Sequence, residues 1–233
     1  MRAGASRVVG ILGEVMITVG VLLGLFVVWQ LWWTDVIADQ EHSDIIAASE
    51  DMWGRPPQKI APPESGPPPV AKPGAENQVW GTLHIPKFDK VSSPIAEGTS
   101  MTEVLNVKGN GHYRETAVPG ENGNFSIAGH RSTYGRPLHD IARLKEGDPV
   151  IVETAEAFYV YRVTSDQITM PSAIEVIAPV PNKPGEEPTE QFMTMTACHP
   201  MYSARERYIV HAKFDHWVDR KKGIPQELEG KVF

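Results

Sequence analysis

The first hydrophobic stretch of the chain is long and almost uniformly apolar. Val15–Trp33 contains nineteen residues without a charged side chain, and only Thr18 and Gln30 in it are clearly polar. At a rise of ~1.5 Å per residue, a helix of this length spans ~28 Å, which is close to the ~30 Å hydrocarbon core of a bilayer. The pattern therefore predicts one transmembrane helix.

The charges on either side of this stretch predict its orientation. Arg2 and Arg7 precede it, whereas Thr34–Trp53 carries six acidic residues and neither lysine nor arginine. Because basic residues favour the cytoplasmic side, the N-terminus is expected in the cytoplasm and the rest of the chain outside the cell. Three tryptophans suit the outer interfacial belt of the membrane: Trp29, Trp32 and Trp33.

A cleaved signal peptide is the alternative interpretation of the same stretch. Signal peptides have a shorter apolar core of ~7–15 residues, followed by a small-residue cleavage site. The candidate site here, Val36-Ile37-Ala38, matches that pattern weakly. The length of the apolar core favours a retained anchor.

Two further segments separate the anchor from the globular part. Asp35–Trp53 has a weak helical pattern, and it predicts a short juxtamembrane helix. Gly54–Gly74 contains eight prolines, which favour extended polyproline II structure and exclude helix or sheet interiors. At ~3.1 Å per residue this segment reaches ~65 Å, so it is interpreted as a spacer. The predicted organisation is an anchor (1–33), a juxtamembrane segment and linker (34–75) and one domain (76–233).

The pattern in residues 76–233 predicts an all-β domain. Its apolar segments are short, rich in β-branched or aromatic residues, and bounded by Gly, Pro or Asn. Such strands predict a barrel or a sandwich, with a short helix over Gly135–Leu144, a helical turn over Met101–Val107 and a long proline-rich loop over Pro171–Glu190. The predicted strands are Val79–Ile85, Ser93–Ile95, Asn124–Ala128, Pro149–Glu153, Phe158–Thr164, Gln167–Met170, Phe192–Thr196 and Tyr208–Phe214.

Composition and charge exclude several classes of function. The formal net charge of −7 argues against nucleic acid as a partner, for which a basic face is expected. A single cysteine excludes an internal disulfide framework and any thiolate-rich zinc or iron–sulfur site. The acidic residues of the 171–190 loop are interpreted as a solvated face. No metal and no cofactor is therefore assigned.

The single cysteine lies in the segment TMTACHPMYSARERYIVHAKF (Thr194–Phe214). Cys198 closes one predicted strand, and Arg207 opens the next. If the two strands are neighbours, these residues lie at matching ends, where a guanidinium can stabilise an oxyanion formed by attack of the thiolate. Arg205 is the competing arginine, and a solvated loop position is its default interpretation.

A cysteine nucleophile also needs a base, and several histidines are candidates. His130 follows the apolar run Asn124–Gly129 at a strand end. His199 adjoins the cysteine, but adjacent strand residues point to opposite faces. Four others are interpreted as structural, packing or loop residues: His84, His112, His139 and His211.

The segments NFSIAGHRSTYGRPLHDIARLKEGD (Asn124–Asp148) and TMTACHPMYSARERYIVHA (Thr194–Ala212) together resemble a sortase, most closely the class E sortases of actinobacteria. The resemblance covers residues 79–214 and implies an eight-stranded sortase β-barrel. It implies Cys198 as the nucleophile, His130 as the acid and base, and Arg207 as the arginine that binds substrate and oxyanion. The GHY segment implies that Tyr113 lies in the substrate groove and that alanine is accepted in an L-A-x-T-G-like signal.

One position departs from the family pattern T-L-x-T-C. This chain reads Thr194-Met195-Thr196-Ala197-Cys198, so alanine replaces the threonine that precedes the cysteine. The resemblance implies that Thr196 and Ala197 lie near the substrate. On that interpretation the lost hydroxyl affects the rate and the substrate preference, while the three principal groups remain.

The function that the resemblance implies is a membrane-anchored cysteine transpeptidase acting outside the cell. Its expected substrates are secreted proteins with a C-terminal sorting signal, and its expected acceptor is an amine of peptidoglycan or of its lipid-linked precursor. Two alternatives stay open. One is a cysteine hydrolase, although papain-like enzymes place the cysteine before the histidine. The other is a non-catalytic binding module on a sortase-like barrel.

Overall fold

The computed structural model describes residues 2–231, and within its first helix the side chains of residues 2–9, 30–32 and 34–35 lie outside that description. One long helix, α1 (Arg2–Trp53), precedes a closed barrel with the strand order β1-β2-β3-β4-β7-β8-β6-β5. The predicted all-β, eight-stranded barrel is confirmed. Its strands are β1 (Val79–His84), β2 (Ser92–Glu97), β3 (Asn110–His112), β4 (Gly123–Gly129), β5 (Pro149–Glu153), β6 (Ala157–Thr169), β7 (Gln191–His199) and β8 (Glu206–Asp219).

The largest differences from the sequence prediction concern two strands and one helix. The two strands predicted within 158–170 form the single strand β6, which pairs along its length with β8 despite a register shift between Val163 and Ser165. The short strand β3 is absent from the sequence prediction. The predicted helix over 135–144 reduces to a 3-10 turn, Ile141–Arg143, because Gly135 (φ 72°) and Arg136 (φ 45°) have left-handed backbone that cannot continue a helix.

Side chains alternate between two faces along the strands that matter for function. Phe125 and Ile127 of β4, and Met193 and Met195 of β7, belong to the main hydrophobic core, which defines the inner face. Residues between them point to the outer face, where Thr194 Oγ1 donates to Asn124 Oδ1 at 2.8 Å. The outer face is covered locally by the 171–190 loop, since Asn124 Nδ2 donates to the Val176 and Ala178 carbonyls.

Helix α1 runs without a break from the apolar stretch into the predicted juxtamembrane helix. No glycine or proline interrupts residues 25–53, and the helix ends where Gly54 adopts φ 75° ahead of Pro56. Within it Gly10–Trp29 is long and apolar enough to cross a membrane and is not buried by the rest of the chain. The side chains of Arg2, Arg7 and Trp32 lie outside the described residues.

The proline-rich segment packs along the barrel, which corrects its interpretation as an extended spacer. Ala61 donates its N–H to the Ile224 carbonyl, and Ala71 donates to the Pro119 carbonyl. The Tyr159 hydroxyl donates to the Pro69 carbonyl at 2.8 Å. The prolines keep the segment extended, as predicted, but its intervening N–H and C=O groups find partners on the barrel surface.

The C-terminal half of α1 also packs against the barrel, through His42. This side chain is completely buried, and a Cβ placed on Gly135 would lie 2.8 Å from its Cε1 atom. Lys90 Nζ lies 3.2 Å from its Nδ1 atom and 2.6 Å from Asp39 Oδ1. Burial and the nearby ammonium of Lys90 lower the pKa of His42 to about 4. Helix α1 therefore contacts the barrel domain through His42, which is neutral and packs against Gly135.

Substituting Gly135→Ala is expected to destabilise the protein by more than Gly147→Ala does. Both glycines have positive φ, so each alanine incurs a left-handed backbone cost of roughly 1–2 kcal/mol. Only the Gly135 methyl meets α1, because no atom lies within 4 Å of a Cβ at Gly147. Urea unfolding of the full chain in detergent measures the difference. Equal losses would contradict the docking of α1 at this glycine.

Candidate active site

The three predicted catalytic residues lie in one row across three adjacent strands. Cys198 in β7 is the register partner of Arg207 in β8. On the other side, Ala128 of β4 pairs with Thr196 of β7 in parallel register, so His130 and Cys198 each lie two residues beyond that pair. Because side chains repeat every two residues along a strand and neighbouring strands are ~4.8 Å apart, all three project from the outer face at one end of the barrel.

The imidazole of His130 is half-buried and held on two sides. Its Nε2 atom lies 2.8 Å from Asn106 Oδ1. Its ring centroid lies 5.0 Å from that of Tyr134, a non-glycine residue with φ 53°. Burial lowers the pKa of His130 below its ordinary value, because desolvation disfavours the imidazolium. Burial therefore favours the neutral imidazole, which is the form that can accept a proton.

Cys198 and Arg207 are both partly exposed, as groups that must meet a substrate have to be. Arg207 Nη1 donates to the carbonyls of Ala204 at 3.0 Å and Glu206 at 2.9 Å, which fixes one edge of the guanidinium. Among the described residues no further hydrogen bond to this guanidinium occurs, so Nε and Nη2 stay available to an incoming oxygen. Arg205 is exposed in the preceding loop, two residues outside the row.

A cavity of about 120 Å³ opens beside Arg207 on the outer face. Barrel residues including Tyr113 and Thr196 form one wall, and residues 169–177 form the other. Thr196 Oγ1 donates to the Ile127 carbonyl at 3.3 Å, so the Tyr113 hydroxyl, 3.0 Å away, is the donor to Thr196. The structure thus brings Tyr113 and Thr196 together next to Arg207.

Ala197 is not part of this cavity, which corrects its assignment to the substrate region. It is 2% exposed and belongs to the main hydrophobic core. Its register partner is Tyr208, also on the inner face. Since Cys198 and Thr196 point outward, the residue between them must point inward, where a threonine would place its hydroxyl in an apolar environment. The alanine is therefore a core residue of the barrel.

His199 likewise points to the inner face, away from the row. Its Nδ1 atom accepts a hydrogen bond from Arg131 Nη1 at 2.8 Å. The same guanidinium lies over the Tyr208 ring at 5.2 Å and reaches the Cys198 carbonyl at 3.5 Å. This histidine is therefore placed as a partner of Arg131 beneath the cysteine, and it is not placed as the base.

The remaining histidine candidates have structural partners. His112 and His84 are buried and contact Glu97 and Glu153, at 2.9 and 2.7 Å. His211 contacts Thr194 Oγ1 at 2.9 Å, and burial lowers its pKa to about 4. His139 Nδ1 lies 3.0 Å from the Arg131 carbonyl. Of the histidines described, His130 is the one that shares a face and a row with Cys198.

Sequence reasoning missed the residues that surround the row. Asn106 lies 24 residues before His130 in the chain, and no sequence motif predicts that the two residues are in contact. Tyr134 and Arg131 belong to the GHRSTYG segment, but their contacts with His130 and His199 depend on the conformation of the loop after β4. The sequence predicts a long 171–190 loop, and the structure shows which part of this region, residues 169–177, forms a wall of the cavity.

Comparison with known proteins places this geometry in a family. The sequence profile described as Sortase domain matches residues 83–215. Sortase SrtE1 of Streptomyces coelicolor is 39% identical over 230 residues, 96% of this chain and 61% of that relative, so the chain spans about three fifths of its length. Sortase SrtE2 of the same organism is 32% identical over 96% of this chain and 89% of its own length.

Solved structures agree in fold with the described barrel. The SrtA sortase from Actinomyces oris has a TM-score of 0.69 at 41% identity, covering 73% of this chain and 98% of that one. Sortase E1 from Streptomyces coelicolor, solved with a tripeptide in its active site, has a TM-score of 0.62 at 40% identity, covering 65% and 97%. Sortases are cysteine transpeptidases, and a barrel that aligns one cysteine with a histidine and an arginine suits that chemistry. The chain belongs to the sortase family and resembles its class E members.

Proposed function

We propose that this protein is a membrane-anchored transpeptidase that cleaves a Thr–Gly bond in a C-terminal sorting signal and joins the new threonine carboxyl to a cell-wall amine. The observation that carries the proposal is the row of His130, Cys198 and Arg207 on the outer face. Nucleophile, proton carrier and oxyanion donor are the groups that acyl transfer requires. In this row they come from three neighbouring strands of a rigid barrel.

In the first half of the reaction, neutral His130 takes the proton of the Cys198 thiol, and the resulting thiolate attacks the carbonyl carbon of the threonine. The carbonyl π electrons move to oxygen, and the free Nε and Nη2 groups of Arg207 donate hydrogen bonds to the oxyanion. When the intermediate collapses, the C–N bond breaks and His130 gives its proton to the leaving glycine amine. The products are a thioester on Cys198, a neutral His130 and a released C-terminal peptide.

In the second half, an amine attacks the thioester carbonyl. His130 accepts the proton that the amine loses, and the Cys198 thiolate leaves. The thiolate then takes this proton from His130, so the enzyme returns to its starting protonation state. The acceptor is an amine of peptidoglycan or of its lipid-linked precursor. The secreted protein carrying the sorting signal is thereby fixed covalently to the cell wall.

The cavity beside Arg207 supports recognition of the sorting signal. Tyr113 and Thr196 present linked hydroxyl groups on one wall, while Ile174 and Ile177 lie on the other. A peptide of the L-A-x-T-G type places its apolar residues against the isoleucines and its backbone near the hydroxyls. The Streptomyces coelicolor relative was solved with a tripeptide in its active site, and this supports a short peptide as the ligand of the proposed site.

The N-terminal helix supports a location at the cell membrane with the barrel outside. Gly10–Trp29 is long enough to span a bilayer, and Arg2 and Arg7 precede it. The domain organisation proposed is an anchor (1–33), a juxtamembrane segment and linker (34–75) and a catalytic domain (76–233). Because Ala61 and Ala71 are buried, the linker belongs with the catalytic domain in any functional preparation.

The full chain in detergent is expected to ligate an L-A-x-T-G peptide to an added amine. A fluorogenic peptide of this type reports cleavage, and mass spectrometry identifies the ligated product. We expect the ligated fraction to rise with amine concentration, because amine and water compete for the same thioester. The matched L-P-x-T-G peptide is the control for the proposed role of Tyr113, and it is expected to react more slowly.

Two results would overturn parts of this proposal. Cleavage whose product is always the free acid, at any concentration of several different amines, would make the protein a hydrolase. Absence of reaction with either peptide, together with alkylation of Cys198 at the rate of an ordinary thiol, would indicate a binding module on a sortase barrel.

A further inference from the structure

Asn106 lies at the end of a short π-helix that is seated on the barrel beside the active-site row. The π-helix, Met101–Leu105, begins at Ser100, whose side chain accepts a hydrogen bond from the Glu103 N–H. It ends at Asn106, whose own N–H donates to the carbonyls of Met101 and Val104. The cap is therefore made by the backbone of Asn106, which leaves its side chain free for another partner.

Packing fixes this π-helix with little freedom. Val104 is completely buried and Leu105 nearly so, in a small cluster with Ala96 and Ala128 of the barrel. A Cβ on Gly111 of β3 would lie 3.1 Å from both side chains and 2.4 Å from the Gly98 carbonyl oxygen. Because Gly111 has no side chain, Val104 and Leu105 can occupy this space. Since Ala128 lies two residues before His130, the seat of the π-helix adjoins the histidine.

The side chain of Asn106 is hydrogen-bonded to the catalytic histidine, and this hydrogen bond assigns the tautomer of the imidazole. Asn106 Oδ1 lies 2.8 Å from His130 Nε2. An amide oxygen only accepts hydrogen bonds, so Nε2 must carry a hydrogen. In the neutral imidazole the lone pair then resides on Nδ1, and that atom is the one free to exchange a proton.

We propose that Asn106 is a positioning residue that holds His130 with Nε2 protonated and Nδ1 available to Cys198 and to the amines of the reaction. The proposal rests on the transpeptidase function proposed above. Asn106 does not touch the reacting atoms; it acts through the orientation and tautomer of the imidazole. The Tyr134 ring, 5.0 Å from that of His130, restricts the imidazole from another side.

The contact with Asn106 acts on the pKa of His130, which burial already lowers. Asn106 Oδ1 stabilises the imidazolium more than the neutral ring, because hydrogen bonds from charged donors are stronger. Removing it therefore lowers the pKa of His130 further, and a carboxylate in its place raises it. The charged or titratable residues closest along the chain or in the row are Glu103, Lys108, Arg131, Tyr134, Cys198 and Arg207, and of these Tyr134 is in ring contact with His130.

The test compares Asn106→Ala and Asn106→Asp with Asn122→Ala, an exposed asparagine, as the matched control. Two-bond ¹H–¹⁵N spectra of the histidine-labelled full chain in detergent report the His130 tautomer, with His130→Gln for assignment. We expect an Nε2–H tautomer in the wild type and in Asn106→Asp, and a mixture in Asn106→Ala. We expect kcat to fall about tenfold in Asn106→Ala, with KM within about twofold and partial recovery in Asn106→Asp.

The spectra separate this proposal from the proposed function, because they need no turnover. A wild-type His130 with Nε2 unprotonated, or the same tautomer in all three proteins, would overturn the positioning role even in an active enzyme. A wild type that shows the expected tautomer and no ligation would overturn the transpeptidase instead. If Asn106→Ala and Asn106→Asp lost activity equally and lost stability against urea equally, Asn106 would serve the π-helix alone.

Discussion

Replacing Cys198 with alanine is expected to abolish ligation and cleavage of the L-A-x-T-G peptide while leaving the barrel folded. Cys198 is the only cysteine in 233 residues, so no second thiol can form the thioester. It is partly exposed at the end of β7, and the methyl group of alanine fits the same backbone without a new contact. Peptide turnover and urea unfolding of the full chain measure the two halves of this expectation.

A matched substitution at the neighbouring position separates loss of the nucleophile from disturbance of the strand. Ala197→Gly removes one methyl group from the inner face, where the alanine is buried. It is expected to reduce the free energy of unfolding by roughly 1 kcal/mol and to leave turnover nearly unchanged. Residual ligation in Cys198→Ala above the uncatalysed rate would assign the covalent step to another group and contradict the mechanism.

Replacing Arg207 with lysine is expected to lower kcat/KM about 10²–10³-fold, even though the positive charge is kept. The effect matches the loss of an oxyanion donor in other acyl-transfer enzymes. Arg207 Nη1 is held by the backbone carbonyls of Ala204 and Glu206, and this leaves Nε and Nη2 available to the substrate. A lysine ammonium is a single point donor on a flexible stem, so it cannot keep one edge anchored while the other binds an oxyanion.

Arg205→Lys is the matched control, since Arg205 lies two residues earlier, in the loop that precedes β8. Its side chain is exposed and lies outside the cavity beside Arg207, so kcat/KM is expected to stay within about twofold. Steady-state kinetics of both variants with the same peptide make the comparison direct. Similar losses in the two variants would mean that guanidinium groups are needed at both positions, and the specific role of Arg207 would fail.

The packing of the N-terminal region bears on how such an enzyme meets its substrates. The C-terminal half of α1 and the proline-rich segment both contact the barrel, through His42, Ala61 and Ala71. If Gly10–Trp29 spans the membrane, the barrel is then held at a defined orientation to the bilayer surface. The proposed substrates and lipid-linked acceptors are expected at that surface, so a fixed orientation would favour their encounter with the row.

Much of the active site follows from the sequence because its members stand at strand ends. A strand places alternate side chains on opposite faces, and this rule by itself separates Cys198 from His199. Alternation also assigns Ala197, the residue before Cys198, to the inner face. The family pattern had instead suggested that Ala197 lies near the substrate. The core position of Ala197 shows that a motif lists residues without saying which face each occupies.

Local physical chemistry thus determined the apolar N-terminal helix, the β character of residues 76–233 and the strand ends that carry the cysteine and the arginine. These properties depend on neighbours in sequence, through hydrophobic period, proline content and side-chain alternation. Only the tertiary structure decided that β4, β7 and β8 lie side by side, and that Asn106, Tyr134 and the 169–177 segment surround His130 and the cavity. Such contacts join residues far apart in the chain, and their geometry depends on how the whole barrel closes.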